Sequence, residues 1–252
     1  MKKYFLFSDV HGEFTALFSS LEKAGFDPEN KEHILISLGD NFDRGTQNKE
    51  VLEFLFEYDA KDRLQMIMGN HDEFFIDFLT GRDDGLFNCQ NNGMAETLDD
   101  LSGLSTEKFI ARHEHLIIAK IRENYPDLIK LFKKAVNIIE IGDYILTHAG
   151  YAQTKRYYIA DEDVPWEVDN WARTDYFIEQ FPHTKFWQGD KTYIFGHWHA
   201  YKLRDQVEGT KYNQDGIRIR NHHTFKTKNF VGIDACTNLS GFVNIFIIDE
   251  EK

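Results

Sequence analysis

Five short clusters of Asp, Asn, His and Gly punctuate this 252-residue chain, and each directly follows an apolar, β-prone run. They read DVHG (Asp9 to Gly12), GDNFDRG (Gly39 to Gly45), GNHDE (Gly69 to Glu73), THAG (Thr147 to Gly150) and GHWH (Gly196 to His199). This recurrence limits the fold more than any other feature. Five strands must end near one another, so that their turns deliver oxygen and nitrogen ligands to one place. A place with that many ligands reads as a metal-dependent catalytic site.

Apolar runs of strand length occur at 4–7, 33–38, 64–68, 136–141, 144–147, 193–195, 230–233 and 242–248. Phe14, Leu17, Phe18 and Leu21 fall at helical spacing, as do Val51, Leu52, Leu55 and Phe56. Strands alternating with helices predict an α/β core. The later strands follow one another closely and predict a second, mixed sheet, hence a layered α/β sandwich. Residues 81–135 are helical in pattern, with Phe109, Ile110, His113, Leu116, Ile117 and Ile121 on one face and a break before Pro126. That segment is expected to be a helical insertion within a single domain spanning 1–252. Residues 207–228 are polar and irregular, and predict a hairpin or loop on the surface.

A formal net charge of -13 argues against nonspecific nucleic-acid binding, which needs excess Lys and Arg to neutralise phosphates. An anionic substrate stays open, because two bound divalent cations would reverse the sign locally. Cys89 and Cys236 are too few for a disulfide framework or a sulfur-ligated zinc site, and read as two reduced thiols. The apolar run after Lys2 and Lys3 is cut short by Ser8 and Asp9, which leaves no signal-peptide core. No stretch approaches the roughly 18 to 20 apolar residues of a membrane span. A cytoplasmic protein without membrane partners is expected.

Hard divalent cations prefer carboxylate, amide-oxygen and imidazole ligands, a set supplied by Asp9, His11, Asp40, Asn70, His148, His197 and His199. Asp40 is suited to bridging two cations, and two metals roughly 3.5–4 Å apart can clamp both oxygens of a phosphoryl transfer. Manganese is the expected metal, with iron and zinc fitting the same ligands. Arg44, beside the second cluster, can pair with the oxygens of a phosphate. A leaving alkoxide needs a proton, for which His71 with Asp43 as its orienting carboxylate is suited. His113 and His115, two apart, cannot chelate together and read as surface residues, as do His222 and His223 in their polar loop. Trp198 reads as a wall of the pocket.

The order DxH, GDxxDRG, GNHD, HxG and GHxH resembles the calcineurin-like metallophosphoesterases, and the DRG extension (Asp43 to Gly45) resembles their phosphoprotein-phosphatase branch. The matches run from Asp9 to His199 and are specific in combination. The resemblance implies a four-layer α/β/β/α sandwich with a dinuclear site on loops at the strand ends. It implies Asp9, His11 and Asp40 at the first metal, and Asp40, Asn70, His148 and His197 at the second. It implies Arg44 as phosphate clamp and Asp43–His71 as the acid pair. Trp171-Ala172-Arg173 fits a W-x-R stretch that supplies a second phosphate-binding Arg, which assigns that role to Arg173. Asn91 to Leu98 is similar to an NGG-x-x-TL stretch of bacterial members. Many members of this branch have only the first His of GHWH, so His199 is either a ligand of the first metal, the favoured reading, or a residue behind the ligands. The implied reaction is in-line attack by a metal-bridging hydroxide on a phosphomonoester. The expected substrate is a phosphorylated protein or peptide, as for a Ser/Thr-type phosphatase. A symmetrical dinucleoside tetraphosphate hydrolase is the alternative, resembled also by FGHW (Phe195 to Trp198). A catalytically silent metal-binding module would have no need of the Asp43–His71 pair.

Overall fold

The computed structural model of the chain describes residues 1–105, 114–153, 166–185 and 187–250. Strand β1 (Lys3–Phe7) leads into α1 (Phe14–Lys23), β2 (His33–Ser37), α2 (Asn48–Ala60), β3 (Leu64–Met66) and α3 (Asn70–Thr80). Next come the helices α4 (Leu86–Asn91), α5 (Met94–Ser102), α6 (Glu114–Asn124) and α7 (Leu128–Phe132). They are followed by β4 (Ile138–Ile141), β5 (Tyr144–Thr147), β6 (Gly150–Gln153), β7 (Trp166–Asp169), α8 (Thr174–Gln180) and β8 (Thr192–Phe195). The last elements are α9 (Ala200–Glu208), β9 (Phe225–Lys226), β10 (Phe230–Gly232), α10 (Thr237–Ser240) and β11 (Phe246–Asp249).

One sheet runs β11-β1-β2-β3, parallel except for β11; the other runs β4-β5-β8-β10-β9, with its three central strands parallel. Side-chain alternation builds the layers. Tyr4, Leu6, Ile34 and Ile36 of the first sheet meet Leu146, Ile194 and Val231 of the second in a core between the sheets. Phe5, Phe7 and Leu35 point the other way, into the helices that follow β1 to β3. Tyr193, Phe195 and Phe230 on the far face of the second sheet pack on Phe177 of α8 and Leu203 of α9. The result is the expected α/β/β/α sandwich, each buried large side chain contributing about 1.5–3 kcal/mol. Parallel strands put their carboxyl ends on the same edge, and ligands bind in the crevice outside those ends. The five clusters are the turns that leave β1, β2, β3, β5 and β8 on that edge.

The inserted helices share the core of the first sheet, through Leu98, Leu101, Ile117, Ile121, Leu131 and Phe132. Phe42, within the second cluster, lies 5.3 Å from Phe75 of α3 and 5.6 Å from Phe132 of α7, so the insertion backs the ligand loop. Leu116 leaves the expected apolar face and is 45% exposed, because Ile117 and Ile121, one turn apart, form the buried stripe. Phe109, Ile110 and His113 lie outside the described residues. The run 242–248 is a strand only from Phe246, since the Val243 amide donates to the Ser20 hydroxyl (3.1 Å) instead of to a ladder. Antiparallel β6 and β7 form a pair the apolar pattern did not predict. In 207–228, α9 extends to Glu208 and a hairpin follows, bridged between Tyr212 and Arg218. His223 is exposed as expected, but His222 is half-buried: it donates through Nδ1 to the Ala235 carbonyl (2.9 Å) and packs 4.9 Å from Tyr201. Among the described residues, no helix is long and apolar enough to cross a membrane.

Candidate active site

The backbone is most unusual where the clusters lie. Among the described residues eight non-glycine residues have positive φ, and six of them are Asp9, His11, Asp40, Asp43, Arg44 and His197. A left-handed conformation is costly for a residue with a Cβ and persists at sites whose geometry the surroundings over-determine. The loops also touch backbone to backbone. A Cβ on Gly39 would meet the Gly69 amide at 2.5 Å, and one on Gly69 would overlap the Asp40 amide and carboxylate. Glycine at these two positions lets the second and third clusters press together.

Two groups of ligand atoms result, each with its atoms within 4.8 Å of one another: His11, Asp40 and His71, and Asp40, His148 and His197. Asp40 belongs to both. Asn70 joins the second group, its Oδ1 lying 3.0 Å from His148 Nε2. His11 is oriented by Nδ1, which donates to the Phe42 carbonyl (2.8 Å), and His148 by Nδ1, which donates to the Leu38 carbonyl (2.7 Å). In that tautomer, assigned from the hydrogen bonds, each Nε2 turns its lone pair to the site, the arrangement typical of a metal-ligating imidazole. Asp9 accepts from the Ser8 hydroxyl (2.5 Å) and from the His197 amide (2.9 Å), which ties the first cluster to the last. His199 belongs to neither group but lines the same pocket: Nδ1 donates to Asp234 (3.0 Å), and Nε2 lies 3.7 Å from Cys236 Sγ.

The electrostatics fit this donor set to cations. Burial, then the neighbouring Asp234 and Asp40, push the Asp9 carboxyl up to about 8. Burial, then Asp40, push Asp72 up to about 7. Burial holds His11 down at about 3 and His197 at about 4, so both imidazoles are neutral and free to ligate at pH 7. Burial opposes a charge on His148 too, but the Asp40 carboxylate outweighs it and raises His148 to about 9. A divalent cation would replace these borrowed protons with fixed positive charge.

Beside the groups stand the residues expected to handle substrate. His71 Nδ1 is 2.7 Å from Asp43 Oδ2, and Asp43 Oδ1 accepts from the Thr97 hydroxyl (2.7 Å). Burial opposes protonation of His71, but Asp40 and Asp43 together raise its pKa above the ordinary value. The Arg44 guanidinium lines the pocket and bridges two histidines, 2.9 Å from His11 Nε2 and 3.0 Å from His71 Nε2. Arg173 stands at the N-cap of α8 with an exposed side chain and does not line the pocket; its neighbour Trp171 does. The pocket encloses about 210 Å³, walled on one side by Trp171 and Trp198.

Two carboxylates escaped the sequence reading. Asp72, fully buried, accepts the amides of Gly69 (3.1 Å), Asp40 (2.9 Å) and Asn41 (3.0 Å) and so clamps the second and third clusters together. Its signal was position, three residues after Gly69 at the start of α3. Asp234 lines the pocket and follows β10, repeating the pattern of strand then polar turn seen in the five clusters.

Fold and site together define a phosphoester hydrolase. The chain belongs to the calcineurin-like phosphoesterase family, whose family model matches residues 2–201. It is 24% identical over 193 residues to the serine/threonine-protein phosphatase 2 of Salmonella typhimurium, covering 75% of this chain and 76% of that protein. It is 40% identical over 72 residues to the symmetrical bis(5'-nucleosyl)-tetraphosphatase of Buchnera aphidicola, covering 29% of this chain and 24% of that one. It shares its fold with the cold-active protein-tyrosine phosphatase of a Shewanella species, with a TM-score of 0.50 at 16% identity over 99% of this chain and 76% of that one.

A stability prediction follows from the charges. Asp9 at about 8 and His148 at about 9 each hold, in the folded chain, a proton that the unfolded chain releases at lower pH. The metal-free protein therefore loses stability as pH rises from 6.5 to 9. His11 and His197 act oppositely, but only below their ordinary value of 6.5. The loss is on the order of 2–4 kcal/mol. Thermal melts of chelator-treated protein at pH 6.5 and 8.5 are expected to show it, and added manganese to restore more stability at the higher pH. A metal-free melting temperature that rises over this interval would contradict it.

Proposed function

We propose that the chain is a dinuclear, divalent-metal-dependent phosphomonoesterase acting on phosphoserine or phosphothreonine in proteins, with residues 1–252 as one catalytic unit. Asp9, His11 and Asp40 would hold one cation, and Asp40, Asn70, His148 and His197 the other. Manganese suits this oxygen and imidazole set, and iron or zinc would also fit. When bound, the cations supply Lewis-acid charge and lower the pKa of water. Arg44 grips the oxygens of the substrate phosphate as a two-pronged donor. His71 delivers a proton from Nε2 to the departing oxygen, while Asp43 fixes the ring through Nδ1. His199 is placed behind the ligands because its Nε2 faces Cys236 Sγ (3.7 Å), while Nδ1 is held by Asp234 (3.0 Å). Arg44 alone is assigned to the phosphate, since Arg173 stands outside the pocket lining.

The single observation that carries this reading is the proton donor. A serine or threonine alkoxide is a strongly basic leaving group and needs one, whereas the nucleoside diphosphate released from a dinucleoside tetraphosphate departs without it. His71, with its raised pKa and its buried Asp43 partner, meets that need. The second reading, a symmetrical dinucleoside tetraphosphatase, is supported by the 40% identity over 72 residues. Side-by-side turnover of a phosphoserine peptide and diadenosine tetraphosphate with manganese separates the two. Inorganic phosphate from the peptide is expected. Nucleoside diphosphate from the dinucleotide, with the peptide untouched, would transfer the assignment to the second reading. Tight manganese binding with turnover of neither would mean a silent module.

A further inference from the structure

Charge is unevenly distributed along this acidic chain. Residues 200–228 hold seven Lys and Arg against three Asp and Glu, while the formal net charge of the whole is -13. Within them, 211–220 form a hairpin. The Asn213 amide donates to the Ile217 carbonyl (2.9 Å), the Ile219 amide to the Lys211 carbonyl (2.8 Å), and Gly216 takes the left-handed turn at φ 76°. Its base is fixed from α9, where Arg204 donates to the carbonyls of Asn221 (2.7 Å) and Thr224 (2.9 Å).

The returning arm alternates Ile217, Arg218, Ile219, Arg220, and period two sorts the residues onto two faces. Both arginines turn to Tyr201, at 5.4 Å and 5.6 Å from its ring. Tyr201 in turn stacks on His199 of the pocket, ring centroids 5.6 Å apart and 11° from parallel. The basic face of the hairpin is therefore two side-chain layers from the pocket, whose lining includes Lys202, 5.1 Å from the Trp198 ring. Arg218 is paired with Asp205 (2.7 Å), which holds the arm down; Arg220 is exposed. The other face leaves Ile217 and Ile219 63% and 49% exposed, with no core to justify them.

We propose that the 211–220 hairpin is a substrate-docking element that takes an acidic stretch of a phosphoprotein beside the residue being dephosphorylated. The proposal rests on the phosphoprotein reading above. Arg220 and Lys202 meet the carboxylates, and the isoleucine face takes an apolar side chain of the same segment. Apolar residues next to arginines fit a short acidic peptide stretch better than a nucleic acid, whose uninterrupted phosphates would extend over more of the acidic surface.

The test uses the manganese-loaded full chain and three substrates: a phosphoserine peptide flanked by Asp, the same peptide with Asn in place of each Asp, and p-nitrophenyl phosphate. Wild type is expected to favour the acidic peptide by about tenfold in kcat/KM, through KM. Arg220→Glu is expected to remove that preference, and to abolish anisotropy-detected binding of the unphosphorylated acidic peptide. It should leave p-nitrophenyl phosphate turnover unchanged. Ile217→Asp, on the other face, is expected to weaken peptide binding without touching the small substrate. Equal turnover of the two peptides by wild type, or a preference that survives Arg220→Glu, overturns the docking role while leaving the phosphatase reading intact. Turnover of p-nitrophenyl phosphate with neither peptide hydrolysed removes the phosphoprotein reading and the docking role with it. Competition by a single-stranded oligonucleotide as strong as by the acidic peptide would make the occupant a nucleic acid, and would equally overturn the proposal.

Discussion

Asp40→Asn is expected to lower turnover by at least about a thousandfold, equivalent to about 4 kcal/mol of transition-state stabilisation. Asp40 is the only residue common to the two ligand groups among the described residues. Its Oδ1 lies 3.4 Å from His148 Nε2 and its Oδ2 3.8 Å from His11 Nε2, so one carboxylate reaches both sides of the site. Asparagine has nearly the same shape and retains the oxygen that accepts the His71 amide (2.9 Å), so the turn before α3 should stay folded. What it loses is the negative charge shared between the groups. Manganese affinity, read by calorimetry, should therefore fall further than the about 10–100-fold that follows loss of a partner behind a ligand. Phosphate release from a phosphoserine peptide at saturating manganese gives the companion measurement. A variant that binds manganese as wild type does, or turns over at more than a tenth of its rate, would remove Asp40 from the bridging position.

The reason Asp40 was legible from sequence is that ligand chemistry is written in residue type. Asp, Asn and His after an apolar run are expensive to bury without a purpose, and five such places in one chain point to a common edge. A layered α/β sandwich was equally legible, since an unbroken apolar run such as Tyr4 to Phe7 requires a core on both faces of a sheet, while the four-layer order came from the family resemblance. Residues that act through other residues were not legible. Asp72 looks like an ordinary acidic residue in the first turn of a helix, and its function exists only because Gly39 and Gly69 bring two loops together around it. His199 carries a ligand's residue type, and the fold adds Asp234 at 3.0 Å and Cys236 at 3.7 Å, two partners from a segment 35 or more residues away that its own cluster does not announce. Arg173 has the spacing of a phosphate clamp, but the N-cap of α8 carries it to a position off the pocket lining, where Trp171 stands instead. Spacing along the chain fixes which residues share a turn. It does not fix which side of that turn meets the site.

His71→Asn is expected to leave manganese affinity within a few fold of wild type while lowering kcat on a phosphoserine peptide by about 10²–10⁴. The contrast between the two measurements matters because His71 is close enough to be a ligand, its ring nitrogen falling in a group with His11 and Asp40. If it were one, metal affinity would fall as in Asp40→Asn. If it is the proton donor, the loss should depend on the leaving group, large for phosphoserine and small for p-nitrophenyl phosphate, whose phenolate departs unprotonated. The pH profile supplies a separate reading. Burial opposes a charge on His71, but Asp40 and Asp43 raise it above its ordinary value, so the donor form persists past pH 6.5 and activity falls as pH climbs through the raised value. Asp43 is outside both ligand groups, so its share of that effect persists when cations engage Asp40. Asp43→Asn removes the charge while leaving one amide oxygen able to accept Nδ1–H, and the alkaline limb of kcat should move to lower pH with manganese binding retained. An alkaline limb that does not move would assign it to some other group and leave Asp43 a packing role against Thr97 alone.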